Sequence, residues 1–309
     1  MTRRRMIIAA VGFGLCLLVP LIVQKDYQLN VLFRIALGAA LALSWSLVGG
    51  YAGQLSLGHA AFFGIGAYSL PLFHNNLGLP LVVALALGMA AAVGAAAAIG
   101  RVAFRLRGPY FALATIAFAE VLHLTAKNLE VTGGDVGLHT PLLFTTHATR
   151  WFYVSAVLLT AAVFAATALI LRSRFGYALQ AVREDEDTTM ACGIDPTRTK
   201  LMAFMISAAF TALGGALYAS NFDMVLPDTM LALDLSERPA IAAMLGGART
   251  MSGPIVGAIL LEAAQELFKN WFHEGYQLIY GVLLVVVVLF LPEGIVGALS
   301  ARWRRRPAK

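Results

Sequence analysis

Residues 49–68 read GGYAGQLSLGHAAFFGIGAY. The stretch holds six glycines, four alanines and one histidine, and carries no formal charge. Leucine would insert into lipid more readily, but it brings no close helix contact there, because lipid tails are as apolar as leucine. Small residues let backbones approach, and van der Waals packing then holds helices together. On a helix, Ser56, Ala60, Gly64 and Ala67 fall at i, i+4, i+8 and i+11, one stripe of small residues, beside a face of His59, Phe63 and Gly66. The segment is therefore expected to be buried among helices, in its own bundle or against a partner. Gly49, Gly50 and Gly53 loosen the backbone before it and suit a discontinuous entry, while Gly58, within the expected segment 55–73, is a candidate helix-packing or pathway residue.

The rest of the chain agrees with a membrane setting. Of 309 residues, 59% are hydrophobic and only 13% charged, with a mean hydropathy of +0.76. A soluble domain carries about a quarter charged residues. Apolar runs predict an all-α polytopic membrane protein with about ten segments: 6–23, 29–48, 55–73, 79–100, 109–127, 150–171, 200–220, 234–248, 252–270 and 275–291. Eight segments would also keep both termini on one side. Residues 6–23 are read as a retained first span rather than a cleaved signal. Segment 234–248 is short and opens with Asp234, Glu237, Arg238 and Pro239, so a half-helix or re-entrant piece is expected. Residues 1–300 are expected to form one transmembrane domain, and 301–309 a basic tail. Cys16 and Cys192 lie in different settings and show no metal or disulfide spacing.

Seventeen of the 23 Lys and Arg residues fall on one side if ten segments alternate. They lie before the first span, at 101–107, at 172–200, at Arg249 and in the tail. The positive-inside bias puts both termini in the cytoplasm, and Trp151, Tyr153 and Trp271 near the outer interface. The longest inside loop, residues 172–200, predicts a short helix from about Tyr177 to Cys192. Gly193 serves as its left-handed stop, and Asp195-Pro196 as the next helix start. The loop is either a solvated connector or a docking helix for another protein.

Polar groups at membrane depth are candidates for function. His59 is either a pathway contact or a structural imidazole bonded to a backbone carbonyl. Glu120, His123 and Lys127 share a helical face and are either a proton relay or an ion-paired cluster. Arg34 and Glu262 suggest inter-subunit pairs. Ser56 and His59 at i, i+3 raise a hydrolase dyad, but no G-x-S-x-G elbow or H-E-x-x-H pair accompanies them. LVGGYAGQLSLG (47–58) is echoed by MLGGARTMSGP (244–254), each placing a glycine pair (Gly246 and Gly247 in the second) before a turn and a small-residue helix.

These motifs occur in a known order: GQLSLGHAAFFGIGAY (53–68), RGPYFALATIAFAEVL (107–122), TGGDVGL (132–138), AVREDEDTTMACGID (181–195), KLMAFMISAAFTALGGALYA (200–219) and GGARTMSGPIVGAIL (246–260). Over residues 30–297 the chain resembles the LivM-type permease subunit of branched-chain amino-acid ABC importers. The resemblance implies a multi-pass protein of the bacterial inner membrane that is not itself an enzyme. It implies a second, LivH-type permease, two cytoplasmic ATPases and a periplasmic binding protein as partners. It also implies that Arg183, Glu184, Asp185, Glu186, Ala191 and Gly193 belong to the ATPase-docking loop. No cofactor is expected on the chain itself: it has no G-x-x-x-x-G-K-[ST], so ATP must be used by partner subunits. Ala248-Arg249 stands where the family usually has Leu-Gly, and Asp187, Thr188 and Thr189 replace more apolar choices. The alternative is a proton-coupled secondary transporter working alone through Glu120 and His123.

Overall fold

The computed structural model describes residues 3–106, 108–141, 143–144, 148–222, 224–271, 281 and 294–298. The tenth segment (275–291) apart from residue 281, the tail at 301–309 and the side chain of Trp271 lie outside the described residues. Within them the chain is almost wholly helical. Helix α1 (Arg3–Ile22) is followed by α2 (Asp26–Ser46), which runs on through a wider turn to Tyr51. Then come α3 (His59–Leu70), α4 (Leu81–Ala103), α5 (Pro109–Asn128), α6 (Ala148–Ile170), α7 (Arg174–Glu184), α8 (Glu186–Ala191), α9 (Pro196–Ala219), α10 (Pro227–Met230), α11 (Asp234–Gly246) and α12 (Gly253–Trp271). Strands β1 (Leu138–His139) and β2 (Met224–Val225) pair antiparallel, Leu138 opposite Val225. Five helical stretches among the described residues are long and apolar enough to cross a bilayer: 26–51, 81–103, 109–128, 148–170 and 196–219.

The segment at 234–248 is indeed short, a 13-residue helix with Pro239 inside it. Two sequence expectations need correction. Ser56 and Gly58 are not on the small-residue helix, because residues 53–58 are non-helical and α3 begins at His59. The loop helix is two helices, α7 and α8, broken at Asp185, whose backbone is extended (φ −160°, ψ 117°).

Helix α3 is the centre of the packing. All its residues but Ile65 are buried, the pattern of a helix surrounded by others. Glycine makes the approach possible. A Cβ on Gly66 would lie 1.9 Å from the Ala212 carbonyl oxygen of α9, and one on Gly215 would lie 2.0 Å from the Phe63 oxygen of α3. The two backbones touch, as small-residue packing allows. Helix α4 contributes a second small stripe, with Ala84, Gly88, Ala92, Ala96 and Gly100 all buried. Around this group α2 packs on α6, α11 and α12. Tyr153 is buried between helices and donates its hydroxyl to the Cys16 carbonyl of α1 at 2.9 Å.

Candidate functional site

The glycine-rich stretch 47–58 forms a break between α2 and α3, and backbone groups freed inside a bundle must find partners. They do so through residues far apart in sequence. The Trp45 indole donates to the Ser56 carbonyl at 2.7 Å. Leu57 N–H donates to Thr115 Oγ1 at 3.1 Å, and Ala60 N–H to Ser236 Oγ at 2.7 Å. Gly49 lies under the Trp45 ring, where a Cβ would come within 2.1 Å of it. Gly53 turns the chain at φ 73°, a conformation cheap only for glycine.

His59 opens α3 at 1% exposure. Ser56 Oγ lies 3.2 Å from its Nδ1, and Ser207 Oγ 2.9 Å from its Nε2. Ser207 Oγ donates to the Ser44 carbonyl at 2.7 Å, so it accepts from Nε2–H, and Nδ1 accepts from Ser56. The imidazole thus bridges two hydroxyls, where a backbone carbonyl was expected as its partner. Ser56 and His59 do meet, but the far ring nitrogen ends on Ser207, not on the acid a dyad would need. Ser207→Ala should leave a buried ring N–H without a partner and cost about 1–3 kcal/mol. A thermal melt in detergent that matches wild type would count against this network.

The second break lies between α11 and α12. Gly247 ends α11 at φ 112°, and Thr250 Oγ1 donates to the Gly247 carbonyl and accepts from Gly253 N–H, both at 2.9 Å. Gly246 sits where a Cβ would meet the Gly253 oxygen at 1.7 Å. The two echoed turns lie against each other: a Cβ on Gly50 would fall 2.1 Å from the Ala248 oxygen.

The α7–α8 elbow is bound to both breaks. Arg183 Nη1 donates to the Gly50 carbonyl, and its stem packs on Gly53. Burial, then the neighbouring Arg249 charge, holds the Arg183 pKa below its ordinary value. Glu184 accepts from Arg249 Nη2 at 2.9 Å. Glu186 accepts from Lys200 Nζ at 2.8 Å and from Gln54 Nε2 at 3.2 Å. Asp185 caps α8 by accepting from Thr188 N–H at 2.6 Å, and this bond holds its carboxyl below the usual carboxylate range. Gly193 closes the elbow at φ 83° with open space around it, next to exposed Met190 and Ala191. Asp195 caps α9 through Arg198 N–H, with Pro196 at the first turn. Side-chain bonds thus link α7–α8 to both breaks, through Arg183 and Glu186 to the first and through the exposed Glu184–Arg249 pair to the second.

Gly64 packs within the chain, its absent Cβ 2.1 Å from Leu231 Cδ2. Glu120 and His123 lie at the opposite end. His123 Nε2 is 2.8 Å from Asp228 Oδ1, Lys127 Nζ is 3.0 Å from the same oxygen, and Glu120 Oε1 is 3.6 Å from His123 Nδ1. Lys127 first, then His123, holds the Asp228 carboxyl low. The side chain of Glu120 is 58% exposed, so this cluster ties α5 to the α10 turn rather than lying inside the bundle. Arg34 and Glu262, expected to pair between subunits, lie 4.0 Å apart within one chain.

Residues 27–289 match the family described as branched-chain amino acid transport system, permease component. The chain belongs to that family. It is 32% identical over 284 residues to the high-affinity branched-chain amino acid transport system permease protein LivM of Salmonella typhimurium. The LivM protein of Escherichia coli is similar to the same extent. Each match takes in 82% of this chain but 66% of the LivM protein's length. The Escherichia coli LivH protein is 26% identical over 305 residues, 89% of this chain and 97% of that protein. Two departures of this permease component from the family pattern have local partners. Arg249 pairs with Glu184, and Thr189 is buried with its hydroxyl on the Asp185 carbonyl at 2.6 Å. Sequence reasoning missed the ties from Arg183, Glu184 and Glu186 to the two breaks, because they join positions 65 to 133 residues apart.

Proposed function

We propose that this chain is the membrane-spanning permease subunit of an ABC importer, forming half of a translocation path for branched-chain amino acids or similar small solutes. The observation that carries this reading is the α7–α8 elbow bonded to both interrupted helices. It is a lever with an exposed end at Met190, Ala191 and Gly193. A rigid element with one free face and one bonded face transmits movement from a partner, whereas a solvated connector does not. The names of the LivM and LivH relatives support the same role.

In this reading the elbow faces the cytoplasm and meets one of two ATPases, which use the ATP. A LivH-type permease forms the other half of the path, and a periplasmic binding protein delivers the cargo. The chain spans the inner membrane about ten times with both termini inside. Charge placement supports the orientation. Arg183, Arg249 and Lys200 gather at one end, where Lys200 Nζ lies 5.5 Å over the Phe104 ring beyond the end of α4.

The test is to tag the protein, solubilise native membranes in mild detergent and identify what co-purifies. A second permease and ATPases with ATP hydrolysis are expected. A lone protein that transports in proteoliposomes without ATP would sink the reading. Arg183→Ala should cut ATP-driven uptake about tenfold while the subunits still co-purify, since it frees the Gly50 carbonyl and unties the elbow from the first break. Uptake at the wild-type rate would remove the lever.

A further inference from the structure

A half-open cavity between α2, α9, α11 and α12 leaves about 80 Å³ accessible to the centre of a water-sized molecule, room for several waters or a small solute. Its wall is mostly apolar, with Leu37, Leu41 and Phe63 prominent, yet three charged side chains border it: Arg34, Arg238 and Glu262. Arg34 and Arg238 stand at its mouth, 40% and 44% exposed, whereas Glu262 is 15% exposed, and a carboxylate buried in a helix bundle is costly and marks a candidate functional site.

Their pairing is incomplete. Arg34 Nη2 bonds Glu266 at 2.7 Å, and Arg238 Nη2 bonds Asp234 at 3.0 Å. A guanidinium has five N–H donors, so both keep donors to spare. The side chain of Glu262 is 15% exposed, and among the described residues its nearest cation, Arg34 Nε, stands at 4.0 Å, beyond a hydrogen bond. Facing it is Gly38. A Cβ there would meet nothing nearer than Ala258 Cβ at 3.9 Å and Glu262 Oε1 at 4.0 Å. The glycine leaves room for a ligand atom beside a carboxylate that has no close partner among the described residues. A second cavity, bordered by Asn30 and Asn221, shares Arg34 and Tyr218 with the first and leads toward the start of α2.

Two cations with spare donors, one carboxylate and an apolar wall match a zwitterion with an apolar side chain. A simple amine or a simple acid would satisfy only half of that set. We propose that this cavity is a transit site for apolar α-amino acids. Glu262 receives the ammonium, Arg34 and Arg238 receive the carboxylate, and Leu37, Leu41 and Phe63 seat the side chain. The three charged groups are only partly engaged with one another, so they hold the ligand without trapping it, as conduction requires. The inference rests on the importer reading above and adds the place where cargo meets this subunit's half of the path.

The test uses the complete importer, with its partner subunits and binding protein, in proteoliposomes with ATP. Initial uptake of L-valine and L-leucine is compared between variants. One binding protein serves every variant, so its selectivity cancels in the ratio. Gly38→Ala and Gly38→Val narrow the cavity at a helical position with space. The leucine-to-valine ratio should fall by roughly three- to tenfold per step, on the scale of a methylene in a snug pocket. Glu262→Gln should lower uptake of both amino acids about tenfold through loss of a charge-assisted bond, and Glu262→Asp should restore part of it. Should Glu262→Gln fail to assemble, the Gly38 ratio decides. An unchanged ratio, or an equal loss for both amino acids, overturns the site while leaving the importer reading in place. A wild-type importer that hydrolyses ATP but takes up no amino acid overturns the cargo reading, and the site falls with it.

Discussion

Gly66→Leu should leave little folded protein. The added Cβ would stand 1.9 Å from the Ala212 carbonyl oxygen and 2.6 Å from the Ala212 Cα, far inside van der Waals contact. Overpacking costs about 1–3 kcal/mol where neighbouring side chains can turn aside. Here the neighbour is backbone and cannot, so α3 and α9 must part. Gly215, with its absent Cβ 2.0 Å from the Phe63 oxygen, shows that the contact is close from both sides. Lipid supplies no hydrophobic drive to press the helices together again. The measurement is the yield of monodisperse protein in mild detergent, with a fall of more than fivefold expected. Gly94→Leu is the control, because Gly94 of α4 has nothing within 4 Å. Equal yields for the two variants would show that α3 and α9 do not meet as described.

That contact was half legible beforehand. The stripe of Ala60, Gly64 and Ala67 identifies a helix meant for close packing, and all three are buried within the chain's own bundle. Periodicity does not say which helix supplies the facing backbone. Extending the stripe back to Ser56 failed because helix geometry was assumed through Gly58. The chain can leave the helix there only because Trp45, Thr115 and Ser236 accept or donate in its place. Partners so distant in sequence leave no local signal. The break at Asp185 was readable. An aspartate followed by Glu186 and Asp187 has the acidic opening of a new helix, and its carboxylate caps Thr188 N–H. The stop at Gly193 and the start at Asp195-Pro196 carry the same kind of local chemistry, and both are found as expected. On α4 the spacing of four from Ala84 to Gly100 was also open to reading. The site residues divide in the same way. Loop positions came from an ordered set of motifs, whereas the bonds that make them a lever depend on tertiary placement.

Glu186→Ala should destabilise the protein far more than Lys200→Met, although each removes one end of the same ion pair. Lys200 is 2% exposed, and its ammonium bonds both Glu186 oxygens, at 2.8 and 2.9 Å. Truncating Glu186 strands that charge with the Phe104 ring face as its remaining neighbour. Breaking a buried pair from one side costs about 3–5 kcal/mol, and the lower end applies because Glu186 itself is 29% exposed and water reaches it. Lys200→Met removes the buried charge and keeps most of the packed volume. It leaves Glu186 in partial contact with water and still bonded to Gln54, so a loss of about 1 kcal/mol is expected. The double variant should then sit near Lys200→Met alone, because once the lysine is gone the glutamate has little left to hold. Thermal melts of the four proteins in one detergent complete the cycle. Two mild single variants whose effects simply add would mean that Glu186 and Lys200 are not coupled. The elbow would then be held to the first break by Arg183 on Gly50 and Glu186 on Gln54, without a charged tie to the start of α9.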